Sequence, residues 1–191
     1  MEFILIACAH FLALLSPGPD FFLIMQASLR LPLRFGIAIC CGIAVANGVY
    51  LMLAVIGFEI VRETTLLFST LKYLGSVYLL FLGVMLLRSS KQRLGDQQSS
   101  SFIRVENLRR QFLIGFMSAL LNPKNMIFYL SLFTALVSVE TGFATRCLSA
   151  VWMMSVVFLW DCLVVLTICQ QKVKRWLGGS IYYIEKISGV A

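Results

Sequence analysis

Charge is scarce in this sequence. Only 13% of its 191 residues are Asp, Glu, Lys or Arg, about half the share found in soluble domains, which argues against a water-soluble globular fold. Histidine is scarcer still: His10 stands alone. The cysteines, Cys8, Cys40, Cys41, Cys147, Cys162 and Cys169, all fall inside apolar stretches without a Cys-x-x-Cys pair. No metal-ligand set can be assembled from these residues. The thiols read as small apolar residues of buried surfaces rather than as disulfides. Met1-Glu2 lacks the basic start and small-residue cleavage site of a secretory leader, so the first apolar segment is expected to stay in the mature chain. No nucleophile–base pair stands out either. Ser16 and His10 are six residues apart, poorly placed on a helix for a dyad. Neither an enzyme nor a cofactor is expected.

Apolar sequence fills the space that charge leaves. The chain is 60% hydrophobic, with a mean hydropathy of +0.89. Uncharged runs cover 3–19, 35–58, 73–87, 111–123, 125–139 and 147–160. A spanning helix needs about 20 mostly apolar residues. The run 35–58 qualifies outright, and most of the others do once a single charge is tolerated, at Asp20, Lys72, Lys124 or Asp161. Helices are therefore predicted near 3–27, 35–58, 66–88, 111–137 and 146–170, in contact with a lipid bilayer.

The net charge of +7 is distributed by side. Twelve basic residues fall in alternate segments: Arg30 and Arg34; Arg88, Lys91, Arg93, Arg104, Arg109 and Arg110; and Lys172, Lys174, Arg175 and Lys186. The opposite side holds Arg62, Lys72 and Arg146, and Lys124 is intramembrane. Under the positive-inside rule the amino terminus lies outside, and the loops near 30 and 88–110 are cytoplasmic. The basic charge is thus topology, and no nucleic-acid partner is expected.

The chain also repeats itself. Residues 13–17 read Ala-Leu-Leu-Ser-Pro and 119–123 read Ala-Leu-Leu-Asn-Pro, while "KYLG" at 72–75 is echoed by "KISG" at 186–189. Three helices separate the copies, so the second runs in the opposite direction, as in secondary transporters built from inverted repeats with interrupted helices. The expected fold is an all-α membrane protein, a polytopic helical bundle of two inverted three-helix repeats in one transmembrane domain. Repeat 1 covers about 1–88, a cytoplasmic linker 89–110 and repeat 2 about 111–191. The sixth helix is expected to be incomplete. From Gly178 to Ala191 is 14 residues, roughly 21 Å of helix against a hydrocarbon core of about 30 Å. A homo-oligomer covering that edge fits this reading.

Both repeats break a helix at membrane depth. Proline has no amide hydrogen and clashes with the carbonyl one turn earlier, so Ser16-Pro17-Gly18-Pro19 and Asn122-Pro123 free backbone groups in the first and fourth predicted spans. Unsatisfied backbone groups cost several kcal/mol in hydrocarbon, and such breaks persist only where protein or a watery cavity covers them. Each break carries an ionisable residue, Asp20 or Lys124, of the kind that marks substrate or proton paths. Ser16, Pro17, Gly18, Pro19, Asp20, Asn122, Pro123, Lys124 and Asn125 are therefore the candidate substrate-binding residues. New helix amino ends and Lys124 suit a carboxylate, while Asp20 and freed carbonyls suit an ammonium group. Lys124 pairing with Asp20 is the other arrangement open to it. Asp20 and Asp161 are the candidate proton-coupling groups, Asp161 lying either at membrane depth or near an interface. Asn47 is expected to make an interhelical hydrogen bond, and Gly36, Gly42, Gly75 and Gly83 to permit close helix packing.

At these motifs the sequence resembles the LysE/RhtB family of bacterial amino-acid exporters. The matching stretches are "LLSPGPDFF", "YLGSVYLLFLGVMLLR" and "FLIGFMSALLNPKNMIFYLSLF", whose order and spacing run through nearly the whole chain. The resemblance implies a six-helix exporter of the inner membrane, releasing small zwitterionic amino acids or derivatives by proton exchange and alternating access. Homoserine, threonine and homoserine lactone are the substrates of the branch it is most similar to. It also places the family's paired motifs at Ser16, Pro17, Gly18, Pro19 and Asp20, and at Asn122, Pro123 and Lys124. The short sixth helix departs from the family pattern and keeps a second reading open, a truncated inactive or regulatory membrane subunit. A membrane-embedded enzyme is the third.

Overall fold

The computed structural model describes residues 2–16, 18–87, 106–138, 140–171 and 173. Pro17, the linker residues 89–105, and the sixth helix with its KISG motif lie outside the described residues. The described chain is helical, with no strand among the described residues. It runs α1 (Glu2–Leu15), α2 (Pro19–Arg30), α3 (Leu33–Arg62), α4 (Thr65–Leu87), α5 (Leu108–Leu120), α6 (Pro123–Leu136) and α7 (Phe143–Cys169). Two of the five predicted spans are thus each divided into a pair of helices.

By length and hydropathy α3, over Leu33–Phe58, and α7 cross a bilayer on their own. α1 and α2, bent by 54° at their break, are together long and apolar enough for a broken third span or a re-entrant loop. α5 starts earlier than predicted because Asn107 caps it, its side chain accepting the Arg110 amide at 3.1 Å. Residues 108–110, assigned from sequence to the linker, are helical for that reason. Between α2 and α3 only Leu31 and Pro32 intervene. Leu31 is extended (φ −113°, ψ 156°), as the residue before a proline tends to be.

α3 is the central helix and packs chiefly on α5 and α7, while α4 packs on α6. Small residues make the closest approaches. A Cβ at Gly42 would collide with the Phe112 carbonyl, and one at Gly115 with the Ile39 carbonyl, so α3 and α5 touch backbone to backbone. Gly75 packs less tightly on Thr134 and the backbone of Ser131 in α6, and Gly36 abuts Val165 of α7. The packing expected of Gly36, Gly42 and Gly75 is therefore present; the surroundings of Gly83 lie outside the described residues. Gly115→Val is expected to cost about 3 kcal/mol or more, because the obstacle is backbone and cannot swing aside. A fall of several degrees in detergent melting temperature, or loss of the monodisperse fraction, checks this.

The exterior is apolar. Leu66, Tyr73, Leu74, Val77 and Leu80 of α4 stand exposed, as do Leu148, Val151, Leu159 and Leu163 of α7. Contiguous apolar surface on this scale is incompatible with water and suits lipid. Helix hydroxyls are satisfied within their own helix, as when Ser28, Thr134, Ser149, Ser155 and Thr167 donate to carbonyls one turn back.

Two buried apolar clusters fill the interior. One gathers Ile24, Phe35, Ile39, Ile43, Val157 and Val165; the other gathers Ile6, Leu51, Phe58, Phe128, Phe133 and Met153. Polar contacts mark the two ends of the bundle. Thr141 donates to Glu2 at 2.7 Å at the second cluster's end, and Arg34 lies 3.8 Å from Glu106 at the first cluster's end. Arg146, the first residue of the helix predicted at 146–170, is 1% exposed in the first turn of α7, its guanidinium 4.8 Å over the Phe58 ring.

Candidate functional site

The two helix breaks are built alike. α1 stops at Leu15, and α2 restarts at Pro19 behind an extended Gly18 (φ −120°, ψ −176°). α5 stops at Leu120, and α6 restarts at Pro123 behind an extended Asn122 (φ −82°, ψ 105°), whose side chain accepts the Lys124 amide at 3.1 Å. Proline is tolerated at the first helical position because the amide it lacks has no intrahelical partner there. The structural counterpart of Pro123 is therefore Pro19, not Pro17 as the five-residue sequence match suggests.

Protein groups cover the freed backbone. The Leu120 carbonyl accepts the Tyr50 hydroxyl from α3, and the Ala13 carbonyl accepts the Ser16 amide at 3.2 Å. The Ser16 carbonyl accepts Lys124 Nζ at 3.2 Å, which ties the second break directly to the first.

Asp20 is the larger bridge. Its Oδ1 accepts the Ser118 hydroxyl at 2.7 Å, and its Oδ2 accepts Asn125 Nδ2 at 2.9 Å and Asn122 Nδ2 at 3.3 Å. One carboxylate from α2 thus holds α5, the break and α6 together. The three donors are neutral, so both oxygens of this half-buried carboxylate are engaged without an ion pair being required. The bond to the Ser16 carbonyl is an arrangement of Lys124 not foreseen from sequence, and Asp20 also acts on Lys124 electrostatically.

Between the breaks lies a cavity of about 70 Å³ lined by Ser16, Gly18 and Asp20 from one side and Asn122, Lys124 and Asn125 from the other. Pro19 and Pro123 are exposed and shape the breaks rather than line the cavity. Other elements complete the wall: His10 from α1, Asn47 from α3, Tyr129 from α6, and Trp160 and Asp161 from α7.

Three of these carry buried atoms without a hydrogen-bond partner among the described residues: His10 Nδ1, Asn47 Oδ1 and Asp161 Oδ2. Asp161 is 9% exposed and Asn47 4%. Asp161 is therefore part of the cavity wall inside the bundle. The interhelical bond expected of Asn47 is absent at its Oδ1, although the residue belongs to the cavity wall. His10 stands among Phe128, Tyr129 and Trp152, ring centroids about 6 Å away, with its Nε2 3.5 Å from the Tyr129 hydroxyl. Ser118, His10 and Tyr129 were not singled out from sequence as site residues. A serine or tyrosine in an apolar helix has no local signal that separates cavity from packing.

Comparison with known proteins identifies the family of the chain. The family model described as LysE type translocator matches residues 11–190. The chain is 33% identical over 151 residues to the threonine efflux protein of Salmonella typhi, covering 76% of this chain and 71% of that protein. It is 30% identical, with the same coverage, to the threonine efflux protein of Escherichia coli K12. To the leucine efflux protein of Klebsiella pneumoniae it is 30% identical over 129 residues, 66% of this chain and 59% of that protein. No solved structure matches the chain. The broken-helix pair with its bridging aspartate thus sits in a chain that belongs to the LysE family of translocators.

Proposed function

We propose that this protein is a secondary transporter that exports small zwitterionic amino acids or their derivatives, of the homoserine, threonine and homoserine lactone class, in exchange for protons. The observation that carries the reading is Asp20 spanning both helix breaks, bonded to Ser118, Asn122 and Asn125 beside Lys124 and a cavity. Breaks at membrane depth that meet around a polar cavity are the usual site of a secondary transporter. The threonine and leucine efflux proteins among its relatives agree in substrate class.

Lys124 and the restarted helix ends receive the substrate carboxylate. Asp20 and Asp161 carry the coupling protons. A proton on Asp20 removes acceptor capacity and loosens the clamp between α2 and the α5–α6 break, which links protonation to the relative position of the two helices. The apolar clusters above and below the cavity act as the two gates, one open at a time. The protein lies in the bacterial inner membrane with its amino terminus outside, the end bearing Arg30, Arg34, Arg109 and Arg110 being cytoplasmic. The two halves are inverted three-helix repeats.

Export from overexpressing cells preloaded with labelled threonine, homoserine, leucine or lysine tests the reading. Faster loss of the neutral amino acids than from control cells is the expected result. Equal loss of every compound, with the protein present in the membrane, refutes it.

A further inference from the structure

We infer that Asn47 and Asp161 form the ammonium end of this site, so that a transported substrate must carry a free ammonium group. The inference rests on the amino-acid reading above and adds to it two residues on helices outside the breaks. A zwitterion needs a cationic wall and an acceptor wall. Lys124 supplies the first. Asp20 is poorly suited to supply the second, because its two oxygens already accept Ser118, Asn122 and Asn125.

Acceptors without a donor stand elsewhere on the same wall. Asp161 Oδ2 on α7 and Asn47 Oδ1 on α3 are buried and have no hydrogen-bond partner among the described residues, and both residues belong to the cavity wall. A buried acceptor left unmade costs about 1–3 kcal/mol, more when it is charged. Buried charges are ordinarily paired. An ammonium group brings one positive charge and several N–H donors, enough for both oxygens at once. The same carboxylate holds either a proton or the ammonium group, so substrate entry displaces a proton from it. That is the exchange an antiporter needs.

α3 and α7 pack directly against each other, which brings the two acceptors to one cavity although they are far apart in sequence. The pairing explains why a polar Asn and an Asp stand in the two helices that are most clearly membrane-spanning.

The test is threonine exchange in proteoliposomes without a pH gradient, for wild type, Asn47→Ala and Asp161→Asn. The competitor is 2,3-dihydroxybutanoate, which replaces the ammonium group by a hydroxyl. Competition is read as a ratio of half-saturating concentrations, which a reduced amount of folded protein does not change, and Asp161→Asn preserves side-chain shape. Wild type is expected to prefer threonine by about 100-fold or more, and each variant to lose about 10-fold or more of that preference. A preference unchanged in both variants overturns the ammonium assignment and leaves the export reading standing. A wild-type protein that exchanges no amino acid overturns both.

Discussion

Lys124→Met is expected to reduce amino-acid transport about 100-fold while leaving the folded protein intact, because a charge-assisted hydrogen bond to a carboxylate is worth about 1.5–3 kcal/mol. Methionine matches the apolar stem of lysine and fills the same volume. What it removes is the ammonium group that donates to the Ser16 carbonyl and faces the cavity beside Gly18. The lost bond to Ser16 is offset in stability by no longer holding a charge in a half-buried position. The change should therefore appear in transport and not in the detergent melting curve. Transport rate in proteoliposomes, normalised to monodisperse protein, measures it.

Asp20→Ala should do the opposite, and destabilise the fold as well as stop transport. The carboxylate accepts from Ser118, Asn122 and Asn125, and alanine leaves all three donors without it. Each unmade bond costs about 1–3 kcal/mol when buried. The site is partly open to water, so a total of about 3 kcal/mol is the scale to expect. Asn122 also caps α6, and freeing its Nδ2 loosens the residue that starts that helix. A lower melting temperature in detergent, with a larger drop for Asp20→Ala than for Lys124→Met, is the measurable outcome. Asparagine at position 20 behaves differently. Its carbonyl can face Asn122 and Asn125, while its amide donates to the Ser118 hydroxyl, which accepts as readily as it donates. Asp20→Asn therefore removes charge and proton binding while keeping the clamp.

What the sequence reveals about this protein follows from how local each cause is. Proline chemistry is local, and both breaks were visible from Pro17, Pro19 and Pro123. Choosing Pro19 over Pro17 as the match of Pro123 required knowing where each helix restarts. The apolar runs located every described helix, although the start of α5 depended on the Asn107 cap. Hydropathy and length together qualify α3 and α7 as spans and the bent α1–α2 pair as a broken span or a re-entrant loop, so the α4 span and the α5–α6 span rest on the sequence alone. Asp20, Asn122, Lys124 and Asn125 were legible as site residues because polar groups stand out at a break. Asn47 was legible as polar but not as unpaired, since its partner, had there been one, would have come from another helix. Ser118 carries no signal at all until α2 places Asp20 against it.

The central claim is that the two broken helices together make a proton-coupled amino-acid site held by Asp20. Counterflow of labelled threonine in proteoliposomes, with and without an imposed pH gradient, tests it most directly when wild type and Asp20→Asn are compared. Wild type should show saturable counterflow that an acidic opposite compartment accelerates, and Asp20→Asn should lose at least about 10-fold of that acceleration while remaining folded. Acceleration by the gradient that is equal in the two proteins would contradict the account.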